Sequence, residues 1–355
     1  MTRVAFDTNA LYVSRAGTAR YVRGLQTALA KLQSSDLQIC DFAWKVSNFD
    51  YEQPTRAIKT AYRELIWAPL TAPKLLASEG FDVFHSTSGP FVQPPAHIRL
   101  VVTLHDLAIL RYPQRFRRWH RISAQARLKR LKSADQIICV SQFTADEGMK
   151  LLDLPARKLH VIHHGIDDFS KVANVSSAGT LFPDEFLLFV GSLEPGKNLR
   201  LLRKTYLLAE KGGKNLPPLV IIGARWAGVP GEGPLPKNWL YLGQQPDDVL
   251  QFAYRRSKAL LFPSIYEGFG FPVVEAQMAG CPVICSRVAS LPEVAGSGAL
   301  FAELSPQAYL DAFSRLEADS NLRDNLIREG KANAQRFTWE RCAEETAVVY
   351  RHSLK

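Results

Sequence analysis

Short apolar runs rich in Val, Ile and Leu alternate along this chain with segments whose apolar positions recur every three or four residues. The runs predict strands at 4–7, 37–43, 83–87, 100–105, 136–141 and 159–165. Helical patterns lie between them. In 18–33, for example, Tyr21, Leu25, Ala28, Leu29 and Leu32 fall on one face. The alternation lapses over 166–182, where Ser, Asn and Gly are frequent. It resumes with strands expected at 187–192, 219–224, 240–243, 259–264 and 282–286. Strand–helix alternation implies α/β architecture, with parallel sheets covered on both faces. Two such blocks predict two Rossmann-like domains, 1–168 and 183–336, joined by a linker at 169–182 and facing a cleft. Ligands in such sheets bind beyond the carboxyl ends of the strands.

Composition narrows the class. Of 355 residues, 46% are hydrophobic and 22% charged, which excludes general disorder. The longest apolar runs, such as 186–191, fall far short of the roughly 18 residues of a membrane span. The start, MTRVAFDTNA, reads as a strand and not as a signal peptide. The five cysteines are scattered: Cys281 and Cys285 have three residues between them, and no His or Cys cluster completes a zinc site. Free thiols in a reducing cytoplasm are the expected setting.

The formal net charge is +10, and it is unevenly placed. Residues 1–170 hold 23 basic and 15 acidic side chains, against 21 and 19 in the remainder. The segment 111–132 alone carries nine Arg or Lys and no acid. Such a run attracts nucleic acid, anionic lipid or a phosphorylated substrate, or else it solvates a helix face. Trp119, Ile122 and Ala126 recur at helical spacing, as do Ala124, Leu128 and Leu131, so an amphipathic helix is expected.

Three glycine-bearing loops follow expected strands. In 14–25, Gly17 lets the backbone approach a ligand at a helix N-terminus, although a lone glycine there also serves simply as a turn. It lacks the dinucleotide fingerprint. In 189–202, a strand ends at Gly191, and Gly196 and Lys197 precede a helix near Asn198. A lysine beside a helix N-terminus suits a diphosphate, since charge and backbone donors converge. The third loop, YEGFGFPVVEAQMAG (266–280), follows strand 259–264. Gly268 and Gly270 keep it thin, and Pro272 suits a first helical turn. Glu267 and Glu275 flank the glycines. Each carboxylate accepts several hydroxyl hydrogen bonds, so the pair can grip polyhydroxylated rings while the helix end meets negative charge. The pattern fits a sugar joined to a diphosphate, although either Glu taken alone also reads as a capping carboxylate.

In these pieces the chain resembles the retaining glycosyltransferases of family 4, with the GT-B fold, over nearly its whole length. The matching segments are AGTARYVRGL, TLHDL (103–107), ICVSQFT (138–144), FVGSLEPGKNL, YLGQQPDD (241–248), EGFGFPVVEAQMAG and SLPEVAG (290–296). The resemblance implies that Glu267 holds donor-sugar hydroxyls, with the amides of Phe269, Gly270 and Phe271 beside the sugar or diphosphate. Glu275 would hold the ribose, Lys197 the diphosphate, and Gly17 would approach the phosphates. His105 would lie by the transferred sugar, and the stretch from Gly243 to Asp248, with Gln245, would border the nucleobase. Gly191, Ser192 and Gly268 complete the implied donor-binding set, with His105, Lys197 and Glu267 in catalytic roles. The segment 337–355 is similar to the family's closing helix, which crosses back onto the first domain. Ser192 and Gly196 stand where many members carry Arg, so charge neutralisation would rest on Lys197, the helix end and Arg225. HHGID (163–167) also departs from the commoner form.

The implied reaction is retaining transfer of a hexose, with mannose from GDP-mannose the first expectation, to a lipid-linked or oligosaccharide acceptor. Cell-surface polysaccharide synthesis, including lipopolysaccharide, is the implied setting. No Asp-x-Asp occurs, so neither metal nor other cofactor is expected. The rival readings are another donor such as UDP-glucose, a non-catalytic sugar- or nucleotide-binding relative, and a nucleic-acid binder. Lys197, Glu267 and Glu275 argue against the second. The lack of a nucleic-acid module argues against the third. The expected partners are a nucleotide sugar, its acceptor and an anionic membrane surface met through 111–132, with the protein cytoplasmic or peripheral on the inner face of the membrane.

Overall fold

The computed structural model describes residues 1–13, 17–32, 36–44, 55–88, 92–116, 118–169, 181–224 and 236–355. The chain forms two compact units: Met1–Gly165 with Phe337–Lys355, and Ile166–Arg336.

The first unit is built on six parallel strands, β1 (Thr2–Asp7), β2 (Leu37–Phe42), β3 (Val83–Ser86), β4 (Arg99–Leu104), β5 (Gln136–Cys139) and β6 (Leu159–Val161), in the order β2-β1-β3-β4-β5-β6. All six were predicted; β1 ends at its expected limit, and the other five end one to four residues before theirs, where the chain turns away from the sheet. The central strands are apolar on both sides, and alternate residues feed different layers. Ala5, Phe42, Phe84, Leu100, Val102, Leu104 and Ile137 join one core with Trp67, Ala72 and Leu76 from the helical stretch 55–78. On the other side lie α1 (Gly17–Lys31), through Tyr21, Val22 and Leu25, and the C-terminal helix Trp339–Ser353. That helix buries Ala343, Ala347 and Tyr350 against α1, β4 and β5.

Two further helices, α2 (Arg118–Leu131) and α3 (Gln142–Leu152), complete this unit's main framework. The Ser141 hydroxyl caps α3 by accepting from the Thr144 amide. The amphipathic reading of 111–132 needs correction. Ala124 and Leu131 are buried, and Leu128 packs on the core, whereas Ile122 is 63% exposed. The apolar positions therefore point both inward and outward. The side chains of Trp119 and Ala126, and the whole of Arg117, lie outside the described residues.

The second unit repeats the plan with β7 (Leu187–Val190), β8 (Leu219–Ile222), β9 (Trp239–Gly243), β10 (Leu260–Phe262), β11 (Val283–Ser286) and β12 (Leu300–Ala302), ordered β12-β11-β10-β7-β8-β9. The edge strand β12 was not among the strands expected from the sequence, although β6 and β10, equally short, were. Strand alternation again separates two cores. Leu188, Val190, Val220, Ile222, Phe262 and Cys285 face one way, while Leu187, Phe189, Leu219, Ile221 and Ile284 face the other. Four helices supply most of the cover: α4 (Leu199–Lys211), α5 (Asp247–Arg256), α6 (Phe271–Ala279) and α7 (Pro306–Ala318). Residues 170–180 of the expected linker lie outside the described residues. The flanking residues belong to the second unit: Phe169 is fully buried and Phe182 stacks on Phe186.

The seat of the C-terminal helix gives a direct test. A Cβ on Gly24 of α1 would lie 2.1 Å from the Trp339 ring. Gly24→Ala therefore overpacks this seat and should lower stability by about 1–3 kcal/mol. The measurement is the urea midpoint, followed by tryptophan fluorescence; an unchanged midpoint would contradict this packing.

Candidate active site

In the second unit the polar residues gather where the strands end. Three glycines stand side by side there: the Gly191 amide donates to the Ile222 carbonyl (2.9 Å), and the Gly223 amide donates to the Gly243 carbonyl (2.8 Å). A Cβ on Gly223 would come within 1.9 Å of the Gly191 carbonyl oxygen, so only glycine permits this approach. After Gly191 the chain passes Ser192, whose carbonyl accepts from the Glu194 amide, and makes a tight turn over Pro195–Lys197. The Glu194 side chain caps that turn at the Gly196 amide.

Lys197 lies across the ends of β7 and β10. Its alkyl chain approaches Gly191, and its ammonium lies 5.3 Å from the Phe262 ring centroid and 2.6 Å from Glu267 Oε1. The two side chains are only 17% and 11% exposed. The lysine expected to hold a diphosphate and the glutamate expected to hold a sugar are thus bonded to each other. Taking two charges out of water is costly, so the short contact compensates for burial and is weak evidence of added stability. Ile265 fastens the glutamate loop to the lysine turn, its amide donating to the Gly196 carbonyl (2.9 Å).

The glycine loop leads directly into α6. Gly268 and the ring of Phe269 are buried, and Phe269 meets Phe271 edge to face at 5.4 Å. Gly270 caps the helix with φ of +105°, in the region that favours glycine. Helix α6 therefore begins immediately beside Glu267, and its first turn carries the donor amides and positive dipole end common to helix starts. Glu275, one turn in, is 2% exposed, and its Oε2 accepts from the Tyr254 hydroxyl at 3.0 Å. Gln245 is tied back into its own loop, its side-chain amide donating to the Leu242 carbonyl (2.6 Å). Arg225 lies outside the described residues.

Two contributors were missed at the sequence level. Ser290, fully buried, lies within 3.0 Å of the Glu267 and Phe269 carbonyls through its hydroxyl, which holds the glycine loop from behind. It stands in the SLPEVAG segment, so the signal was present without a role attached. Tyr254 carried no motif at all.

Gly17 and His105 belong to the first unit. Gly17 is exposed and opens α1, while Ser14–Ala16 lie outside the described residues. His105 follows β4. Its Nε2 lies 2.8 Å from the Thr87 carbonyl, which can only accept, so Nε2 carries the proton and Nδ1 is the bare nitrogen of the neutral ring. Burial lowers its pKa, against smaller opposing effects of the Thr87 bond and Asp106. Behind it lies a buried polar chain absent from the sequence reading. Tyr350 is hydrogen-bonded to His85 Nδ1 (2.7 Å), His85 Nε2 to Thr103 (2.8 Å), and Thr103 to Tyr21 (2.9 Å). The Tyr21 ring packs against both His105 and His164. Burial pushes His85 down to about 3 and holds His164 well below its ordinary range. At the end of β1, burial raises Asp7 to about 6, although Asn9 donates to it twice.

Comparison with known proteins agrees with this architecture. The family model for "Glycosyl transferases group 1" matches residues 178–333, and that for "Glycosyltransferase Family 4" matches 15–168. The chain is 31% identical to O-antigen chain mannosyltransferase B of Escherichia coli over 290 residues, covering 76% of this chain and 74% of the relative. It is 25% identical to a serotype-specific mannosyltransferase, WbdA, of Escherichia coli, over 77% of this chain; the match spans only 36% of that longer protein. A solved Anabaena structure, HepE in complex with UDP and glucose, superposes with a TM-score of 0.71 at 16% identity, over 99% of this chain and all of the other.

The buried histidines make stability depend on pH with a definite sign. His85, His105 and His164 are held neutral when folded but take up protons near pH 6.5 when unfolded, so stability falls as pH drops through that region. Asp7 acts oppositely: the folded state binds its proton near 6 and the unfolded chain only near 4, which offsets one histidine. The urea-unfolding free energy should therefore fall by roughly 1–3 kcal/mol between pH 7 and pH 5.5. Equal or greater stability at pH 5.5 would contradict the neutral, buried assignment.

Proposed function

Because the chain belongs to glycosyltransferase family 4 and has its GT-B fold, we propose that it transfers mannose from GDP-mannose, with retention, to a lipid-linked or oligosaccharide acceptor of surface-polysaccharide synthesis. The observation that carries the donor assignment is the cluster of Lys197, Glu267 and Glu275 around the start of α6. The mannosyl choice is supported by the 31% identity to an O-antigen mannosyltransferase.

In this reading the sugar–phosphate bond breaks as the acceptor hydroxyl attacks from the same face. The acceptor's proton passes to the departing diphosphate. Negative charge grows on that diphosphate, where Lys197 and the helix end lower the barrier without a metal ion. Lys197 exchanges part of its bonding from Glu267 to phosphate, and Glu267 turns to the sugar hydroxyls. His105, with Nε2 engaged by Thr87, offers Nδ1 as an acceptor to a sugar hydroxyl. Glu275 receives the ribose hydroxyls. Gly17, Gly191, Ser192, Gln245, Gly268, Phe269, Gly270 and Phe271 complete the donor-binding set.

Lys197→Ala, Glu267→Ala and Glu275→Ala should each lower transfer at least tenfold while shifting the urea midpoint little. Activity is followed in chelator with GDP-mannose and UDP-glucose in parallel. Near-normal transfer by all three variants would remove the site. Preference for UDP-glucose would change the donor, and a requirement for added Mg²⁺ or Mn²⁺ would overturn metal independence.

The proposal includes peripheral contact with an anionic membrane through 111–132. Arg118, Arg121, Lys129 and Arg130 are exposed on α2, whereas Arg111 is engaged by the buried Glu147. Arg127 lies within electrostatic reach of Glu64, which precedes the exposed Leu65 in the chain. Among the described residues no helix is long and apolar enough to cross a membrane. Each basic residue near an anionic surface contributes about 1 kcal/mol. The chain should therefore sediment with anionic but not neutral vesicles, and lose this when Arg118, Arg121 and Lys129 become Gln. Failure to bind anionic vesicles at low salt would exclude the contact.

A further inference from the structure

Glu275 is buried at the start of α6 and faces the hydroxyl of an equally buried tyrosine from a different helix. Tyr254, on α5, has no exposed surface, and its Oη lies 3.0 Å from Glu275 Oε2. The phenol has little freedom to leave. Its ring packs edge to face on Phe169, with centroids 5.9 Å apart, within the core formed by Leu250, Ala253, Phe262 and Val273. Its backbone carbonyl accepts from the Ser257 hydroxyl at 3.0 Å, which fixes the end of α5.

We propose that Tyr254 is a positioning residue: it fixes the Glu275 carboxylate so that this group meets the ribose hydroxyls of the donor in one orientation. The inference rests on the donor-binding reading of Glu275 given above. A carboxylate on a two-carbon stem rotates readily about its last bond, and a rigid donor on one oxygen stops that rotation. A preorganised acceptor loses less freedom when a ligand hydroxyl binds. A tyrosine that merely filled the core would not do this.

The test uses Tyr254→Phe, which keeps the ring and its packing and removes one oxygen. Calorimetry compares GDP with 2′,3′-dideoxy-GDP, and UDP with its dideoxy form, from pH 5.5 to 8.5. The wild-type chain should prefer the ribose form by at least tenfold. Tyr254→Phe should weaken ribose-form binding about tenfold, as expected for loss of a hydrogen bond to a charged group. It should leave dideoxy binding unchanged. Equal weakening of both forms, or of neither, overturns the Tyr254 role. Glu275→Ala separates the premises: if it keeps the ribose preference, the Glu275 assignment fails first. A wild-type chain with no ribose preference overturns both. A matching urea midpoint for Tyr254→Phe confirms that the core is intact, and a Tyr254→Leu variant that loses binding to both forms marks the merely structural effect.

Discussion

Parallel strands buried on both faces all send their carboxyl ends to one edge, and that constraint organises each unit of this protein. Every strand end there releases a loop, and helix starts gather there, some capped by a side chain as α3 is by Ser141. In the second unit the result is a dense meeting of backbone: the Gly223 Cα sits against the Gly191 carbonyl, and the Lys197 turn is fastened to the Glu267 loop through Ile265 and Gly196. Side chains needed for chemistry are thus placed by the sheet, and their precision comes from contacts between loops.

The Lys197–Glu267 pair shows how such a site balances two demands. Both charges are largely removed from water, which is tolerable because each satisfies the other. A ligand bearing both a diphosphate and hydroxyls can replace that mutual satisfaction on both sides at once. A ligand with only one of these would leave a buried charge poorly matched, and the cost of an uncompensated buried charge runs to several kcal/mol. On the donor-binding reading proposed above, the pair favours the complete nucleotide sugar over either fragment.

Much of the fold was legible because short apolar runs are separated by helices of ordinary length. Eleven of the twelve strands stood out; the edge strand β12 did not. The glycine loop at the start of α6 was legible because glycines, a proline and two glutamates are concentrated within fourteen positions, 267–280. Tyr254 and Ser290 were not read as part of it. Their roles depend on partners 21 to 23 residues away across the sheet, and nothing in local spacing reports that. The same holds for His85, joined to Tyr350 across 265 residues. The 111–132 segment misled in part because helical spacing marks apolar positions without saying which of them face the core.

The C-terminal helix belongs to the first unit although the whole second unit intervenes in the chain. During synthesis from the amino terminus, the partners of Tyr350 and Trp339 emerge more than 170 residues before those side chains do. His85, Tyr21 and Gly24 must therefore wait on the ribosome without the surface that will cover them. The second unit, being continuous, can complete its own sheet in that interval. Residues 337–355 can close the first unit only once the whole second unit has been made, so a segment distant in sequence decides when the first unit becomes native.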